Sequence, residues 1–162
     1  MNNTEVDILI IGAGPSGCVA AGYLQKQGAT IKVVEKTQFP RIVVGESLIP
    51  RVMDHFDEAG LLDDLQKQNF QIKPGARFIK GDIISIFDFS EKFGEGWDWT
   101  WQIPRADFDH IMTQSLQKKG VDIAFETTVT AVEWKDTYSI TTVVKREGRT
   151  EKIKAKFVIA AR

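Results

Sequence analysis

The sequence has little of what several large classes of protein require. It contains one cysteine, Cys18, so no internal disulfide can form. Its 21 basic and 22 acidic residues leave a net charge of −1, which gives no electrostatic reason to expect a nucleic acid or an anionic membrane as a partner. The N-terminus has no positively charged segment followed by a long apolar run, so neither a signal peptide nor a membrane span is expected. We therefore expect a cytoplasmic protein.

Histidine is equally scarce, and the two that occur do not suggest a metal centre. His55 and His110 lie far apart in the sequence, with no cysteine at ligand spacing, so no metal site is predicted. Cys18 occupies a helical position that commonly takes a small residue, which favours packing over redox chemistry. With 162 residues, of which 43% are apolar, the chain is long enough for one proper core, and one compact domain is expected.

What the sequence does contain is a strand, helix, strand pattern at its start. The continuous apolar run from Asp7 to Ile11 is typical of a strand buried in a parallel sheet. Helix-forming residues follow from Pro15 to Gln27, with Gly28 as the stop signal, and Ile31 to Glu35 predicts the second strand. This unit of about 30 residues is the first part of a Rossmann-like α/β fold.

Three glycines between the first strand and the helix have the spacing G-x-G-x-x-G. Gly12 permits the tight turn, Gly14 allows the backbone to approach a pyrophosphate, and Gly17 lets the helix lie close to the strand. The helix N-terminus offers free N–H groups and a partial positive charge to phosphates. Glu35, at the end of the second strand, is placed to accept both ribose hydroxyls of an adenosine, and it would repel the 2′-phosphate of NADP.

The remaining chain predicts a parallel sheet that is completed by an antiparallel β-meander. Thr37 to Gly45 is expected to be a loop, and Ser47 to cap a helix that continues to Leu61. The other elements are short strands over 70–88, a Gly- and Trp-rich loop over 94–105, a helix over 106–119, a strand over 121–125 and meander strands over 128–134, 138–145 and 152–160.

Three segments, IGAGPSG, VEKTQFPRIVVGESLIP and WQIPRADFD, together carry a family resemblance. The chain resembles the FAD-dependent oxidoreductases of the flavin monooxygenase superfamily, particularly the branch of flavin-dependent halogenases and geranylgeranyl-reductase-like enzymes. The resemblance implies FAD as cofactor, with Val129 contacting adenine through its backbone. It names as FAD-binding residues Gly12, Gly14, Pro15, Ser16, Gly17, Glu35, Lys36, Arg41, Arg105 and Val129.

Two features are similar to halogenases in particular. Lys73 falls where halogenases place a lysine thought to hold or activate hypohalous acid, so the resemblance makes it the catalytic candidate. Trp99, Trp101, Ile103 and Pro104 also spell W-x-W-x-I-P, the halogenase signature. In halogenases that signature lies well downstream of the meander, whereas here it runs directly into the helix with Arg105. We interpret these tryptophans as walls of the flavin site or as packing residues.

The resemblance also implies parts that this sequence lacks. Enzymes of this superfamily are longer, with a second FAD motif and a substrate domain, so residues 1–162 are expected to form the N-terminal portion of an FAD-binding domain. The implied partners are a small organic substrate and either NAD(P)H or a flavin reductase.

Two other interpretations stay open at this stage. An NAD-dependent dehydrogenase domain would account for Gly12 to Glu35 equally well, although not for the meander or for GESLIP and WQIPR. A non-catalytic fragment that binds a nucleotide or a partner protein would account for all of them.

Overall fold

A six-stranded sheet is the central element of the computed structural model, which describes residues 3–161. The strands are β1 (Asn3–Ile11), β2 (Ile31–Val34), β3 (Gln71–Lys73), β4 (Gly75–Lys80), β5 (Ile83–Asp88), β6 (Thr100–Gln102), β7 (Asp122–Ala124), β8 (Thr127–Trp134), β9 (Ser139–Lys145) and β10 (Thr150–Ala160). The helices are α1 (Pro15–Lys26), α2 (Arg51–Glu58), α3 (Leu62–Gln66) and α4 (Arg105–Lys118).

One half of the sheet is parallel. Its strand order is β7-β2-β1-β10, and Ile10 near the C-terminal end of β1 lies opposite Val33 of β2 and Ile159 of β10. Ile10 has no exposed surface, as expected for a strand that is covered on both faces. The apolar run therefore predicted the existence and the end of this strand, which begins at Asn3 and not at Asp7.

The other half is antiparallel and confirms the predicted meander. β10 pairs in parallel with β1 along one edge and antiparallel with β9 along the other, and β9 in turn pairs with β8. The register between β8 and β9 shifts between Val129 and Ala131, as at a β-bulge. The fold is thus a mixed α/β fold whose parallel sheet continues into an antiparallel extension.

All four helices contribute to the main core on one face of the sheet. Phe108 and Met112 of α4 are fully buried there, together with Met53 of α2 and Leu65 of α3. Cys18 of α1 is 1% exposed, and burial raises the pKa of its thiol well above the ordinary value, which fits a packing role. The second face carries a smaller buried cluster, made by Leu9, Val34, Val143, Ile153 and Ala155.

The predicted helix from Ser47 to Leu61 is wrong in its start and in its continuity. Ser47 does not cap a helix but forms a β-bridge with Gln102, and α2 begins only at Arg51. Pro50 explains the late start, because a proline disfavours helical backbone at the residue before it. Gly60, with φ +69°, then separates α2 from α3.

The Gly- and Trp-rich segment is also more ordered than predicted. Residues Thr100–Gln102 form β6, which pairs antiparallel with β3. Trp101 is buried and packs edge-to-face against Phe70 and Trp99, and Trp99 packs likewise against Trp97. The tryptophans therefore pack this segment onto the core.

A two-stranded ribbon, β4 with β5, stands apart from the six-stranded sheet. Six of its apolar side chains are exposed: Phe78, Ile79, Ile83, Ile84, Ile86 and Phe87. Within residues 3–161, no helix combines the length and the apolar character that crossing a membrane requires.

Candidate functional site

A crevice of about 740 Å³ opens where the parallel strands end. Gly12 follows β1, Glu35 follows β2 and Ala161 follows β10, so their backbones meet at the carboxyl edge of the sheet. In α/β sheets this edge is where ligands bind. The crevice is lined by Ile11, Gly12, Gly14, Pro15, Ser16, Val34, Glu35, Lys36, Arg41, Val43, Arg105, Thr127, Thr128, Val129 and Ala161.

The three glycines of the motif have different roles in this structure. Gly12 has φ +107°, and a Cβ there would collide with the backbone oxygen of Ala161. A Cβ on Gly17 would collide with the backbone oxygen of Gly12, so Gly17 lies behind the crevice and does not line it. Gly14 is extended (φ −70°, ψ −178°), and the nearest atom to a Cβ there is Arg41 Nη2 at 3.7 Å. Gly14 therefore keeps the crevice open, whereas Gly12 and Gly17 are required by the fold.

Helix α1 presents its N-terminus to this opening. Gly14 is the N-cap residue and has no side chain to accept hydrogen bonds from the first N–H groups, and Pro15 occupies the first helical position. The first turn contains no acidic residue. The end of α1 is consequently suited to an anion such as a phosphate.

Glu35 is a buried carboxylate, only 3% exposed, that the protein holds by three hydrogen bonds. Ala13 N–H donates to Oε2 (3.0 Å), while the N–H (3.0 Å) and the hydroxyl (2.7 Å) of Thr37 donate to Oε1. Burial acts to raise the pKa of Glu35, but these bonds and the charge of Arg41 outweigh it and hold the pKa below its ordinary value. Glu35 is therefore ionised and orientationally fixed, with about one of a carboxylate's four acceptor positions left for a ligand.

Replacing Glu35 with glutamine tests this arrangement through pH. A lowered pKa in the folded state means that Glu35 contributes stability above its ordinary pKa, and that this stability is lost as the pH falls through the folded-state value. We expect Glu35→Gln to be less stable than wild type at neutral pH by about 1–3 kcal/mol, since a buried donor is left unpaired. Urea unfolding should show this difference narrowing below about pH 5. A difference that stays constant into acid would contradict the assignment.

Arg105 is hydrogen-bonded to a buried carboxylate that was not among the predicted site residues. Asp109, fully buried one helical turn further along α4, accepts two hydrogen bonds from Arg105, at Nε (2.8 Å) and at Nη2 (2.9 Å). The hydrogen bonds to Asp109 raise the pKa of Arg105. The i, i+4 spacing within RADFD is a local signal that could have identified Asp109.

Arg41 lies between two carboxylates without a hydrogen bond to either. Its Nη1 is 3.7 Å from Glu35 Oε1 and its Nη2 is 3.9 Å from Asp109 Oδ2. The guanidinium carbon lies 4.7 Å from the ring centroid of Phe39, and its buried Nε has no hydrogen-bond partner among residues 3–161. Arg41 is thus fixed by charge and stacking while its donors remain available.

The crevice brings together nine of the ten predicted cofactor-binding residues, all except Gly17. Lys36 and Val129 lie on its wall, and their contact with the cofactor stays a prediction. Val43, Thr127 and Thr128 also line the crevice and were not predicted. No local pattern distinguishes these residues from other loop and strand residues.

Lys73 lies outside the crevice lining. The Lys73 ammonium donates to Ser47 Oγ (2.5 Å) and to the backbone oxygen of Leu48 (3.1 Å), and lies 5.2 Å from the ring centroid of Phe89. The catalytic role of Lys73 stays a prediction.

The fold and the crevice are those of a dinucleotide-binding domain of the Rossmann type. The sequence profile of the FAD binding domain family matches residues 5–162, and the chain belongs to that family. Its cofactor is FAD. The alternative interpretation as an NAD-dependent dehydrogenase domain is not supported.

Relatives of known activity place the chain beside flavin-dependent halogenases and monooxygenases. It is 29% identical to the 1H-pyrrole-2-carbonyl-(peptidyl-carrier protein) chlorinase of Pseudomonas fluorescens, over 99% of this chain and 40% of that protein. It is 33% identical to the tryptophan 2-halogenase of Chondromyces crocatus, over 74% of this chain and 22% of that protein. The chain therefore spans less than half the length of these relatives.

Solved structures agree with the fold. A flavoprotein/dehydrogenase from Cytophaga hutchinsonii is 47% identical, with a TM-score of 0.92 over 96% of this chain and 38% of that one. The flavin-dependent halogenase CmlS is 33% identical, with a TM-score of 0.86 over 96% of this chain and 28% of that one. The residues of the crevice fit the cofactor, because Gly14 leaves room for a ligand and the buried Arg41 Nε lacks a partner.

Proposed function

We propose that residues 1–162 form the ADP-binding portion of an FAD-dependent oxidoreductase that acts on a small organic molecule. The observation that carries the proposal is the convergence of the glycine turn, the N-terminus of α1, Glu35 and two arginines on one crevice. Bound FAD would supply the electron transfer, while the residues of this chain bind and orient it.

Each part of the crevice suits one part of the ADP half of FAD. The ionised Glu35 accepts a hydroxyl of the ribose, and a second one if the Thr37 hydroxyl turns away. The N-terminus of α1, Arg41 and Arg105 bind the pyrophosphate as hydrogen-bond donors. Lys36 and the backbone of Val129 border the adenine. Glu35 would repel a 2′-phosphate, so NADP is disfavoured at this site.

The type of oxidoreduction follows from the relatives only as a class. The chlorinase and the tryptophan halogenase support a halogenase or monooxygenase activity, and the dehydrogenase structure supports a reductase or dehydrogenase activity. In each case the electrons for FAD would come from NAD(P)H or from a flavin reductase. Lys73, which lies outside the crevice, remains the catalytic candidate.

A ligand series tests the proposal without requiring turnover. We expect FAD and ADP to bind the chain and to compete with each other, because they share the half that contacts the crevice. FMN, which lacks the adenosine, should bind at least about a hundredfold more weakly, since it loses the ribose contact with Glu35 and one phosphate. Isothermal titration calorimetry measures the four affinities, for FAD, ADP, FMN and NADPH. NADPH is included because its 2′-phosphate would be repelled by Glu35.

The same series separates the alternatives. FMN that competes with FAD would contradict an ADP-binding crevice. Binding of ADP without any binding of FAD would favour a nucleotide-binding module that is not a flavoprotein. To identify the electron source, FAD-loaded protein is mixed anaerobically with NADPH, with and without a flavin reductase, and the loss of the yellow flavin colour is followed.

A further inference from the structure

Asp109 is an unusual residue to find in the middle of a buried helix face. Its side chain has no exposed surface, and aspartate has a poor helix propensity in helix interiors. Removing a carboxylate from water costs several kcal/mol, and an ion pair in the interior often adds no net stability compared with apolar side chains of the same size. The fold of α4 therefore does not by itself explain the presence of a carboxylate at this position.

The geometry around Asp109 explains it better. Its two oxygens receive the Nε and Nη2 donors of Arg105 in parallel, which fixes the plane of that guanidinium. One N–H on each terminal nitrogen of Arg105 remains free, after the weak contact of Nη1 with the backbone oxygen of Gly45 (3.5 Å). The same Asp109 oxygen that binds Nη2 of Arg105 is 3.9 Å from Arg41 Nη2.

Asp109 is thus shared by two arginines that line the same crevice. Asp109 lies beneath both arginines in the core, while Glu35 Oε1 lies 3.7 Å from Nη1 of Arg41. The four groups alternate in charge in the order Glu35, Arg41, Asp109, Arg105. Two guanidinium groups of like charge can then lie near one another before any phosphate arrives, because the carboxylate between them offsets their repulsion.

We propose that Asp109 is a positioning residue for the diphosphate of FAD, which it does not touch. It fixes the guanidinium of Arg105 by two hydrogen bonds and places a negative charge beside Arg41, so that little conformational entropy is lost when the diphosphate binds. The inference rests on the proposed role of these two arginines at the diphosphate. It goes further in assigning the orientation of Arg105, and part of the charge that holds Arg41, to a single buried carboxylate.

The test compares ligands with and without a diphosphate. Asp109→Asn keeps the size of the side chain but removes its charge and places an amide donor against a guanidinium donor. We expect the affinity for ADP and for FAD to fall by about 10- to 100-fold, the range expected when hydrogen bonds to charged groups are lost. The affinity for adenosine, which has no phosphate, should change less than about twofold, within ordinary additivity between separate groups. Calorimetry gives the affinities, and thermal unfolding gives the stability of the same samples.

Asp64→Asn is the matched control. Asp64 is another carboxylate bound to α4, through Ser115 Oγ at 2.6 Å, but it does not line the crevice. The Asp64→Asn variant should have a lower melting temperature than wild type, but the same ratio of ADP affinity to adenosine affinity. An Asp109→Asn variant whose affinities for ADP and adenosine fall by the same factor would overturn the proposal, because that is what a purely structural residue would do.

Single replacements of the arginines separate this inference from the proposed function. If Arg41→Ala and Arg105→Ala bind ADP like wild type, the placement of the diphosphate is wrong. If both weaken ADP binding but Asp109→Asn does not, only the positioning role is wrong.

A second variant applies if Asp109→Asn does not fold. In it, Arg105→Met and Asp109→Leu remove the ion pair together, which leaves no charge of that pair buried without its partner. ADP should bind this variant more weakly than Arg105→Met alone, because Arg41 has also lost one of the two carboxylates beside it, and equal affinities would overturn the proposal.

Discussion

Replacing Gly14 with leucine is expected to abolish FAD binding while leaving the fold intact. The backbone of Gly14 is extended, a conformation that any residue adopts, and a Cβ there meets only Arg41 Nη2, at 3.7 Å. A leucine side chain would therefore point into the crevice that must hold the pyrophosphate. It would also cover the first N–H groups of α1. We expect the affinity for FAD to fall at least about a hundredfold, with the melting temperature of the apo-protein almost unchanged.

Gly94→Leu is the control for this experiment. Gly94 also has open space around it and no left-handed backbone, but it lies in the Trp-rich segment away from the crevice. It should bind FAD like wild type. Gly12 makes the contrast clear, because a side chain there would collide with the backbone of Ala161 and would act on the fold. Yellow Gly14→Leu protein with wild-type affinity would show that the pyrophosphate does not cross this turn.

The parts of the fold that the sequence predicted correctly are those with a local signal. The run before Gly12 is continuously apolar because β1 is covered on both faces, and this needs no knowledge of its neighbours. The meander was likewise visible as strands separated by turns at Lys135-Asp136 and at Gly148, which has φ +82°. Both signals act within a few residues of the chain.

The errors occurred where distant parts of the chain decide the structure. Thr100–Gln102 becomes strand β6 because Gln71–Lys73 lies alongside it, and Ser47 is drawn into a bridge with Gln102 of the same strand. No periodicity within three residues can indicate such pairing. Tertiary contacts override local preference in such short segments.

The candidate site likewise combines residues that a local motif indicates with residues that only long-range contacts bring together. The glycine turn and Glu35 follow from a motif with a fixed spacing, and Arg105 from its position in WQIPR. The ion pair between Arg41 and Asp109, with 3.9 Å between Nη2 and Oδ2, forms only because the loop after β2 folds against α4, and the two residues are 68 positions apart in the sequence. Thr127 and Thr128 enter the crevice because β8 begins beside the end of β2, where Thr127 N–H donates to the backbone oxygen of Glu35.

Phe108→Ala is expected to cause a large loss of stability. The ring has no exposed surface and packs edge-to-face on Phe56 of α2 (5.5 Å between centroids) and against Phe70 (5.8 Å), so it joins three elements on one face of the sheet. Truncating such a residue costs about 3–5 kcal/mol through lost burial and the cavity that remains. Because a domain is stable by only about 5–15 kcal/mol, the variant should unfold at markedly lower urea concentration.

The matched control is Phe93→Ala, which removes the same side chain from a fully exposed position and should change stability by less than about 0.5 kcal/mol. Phe108 also lies in α4 between Arg105 and Asp109, so the Phe108→Ala variant should hold the side chain of Arg105 less rigidly in the crevice. Saturating FAD binds only the folded chain and should restore about 2–3 kcal/mol at a hundredfold excess over its dissociation constant. A loss below about 1 kcal/mol would mean that α4 is not anchored through this ring, and the rigid presentation of Arg105 would then need another source.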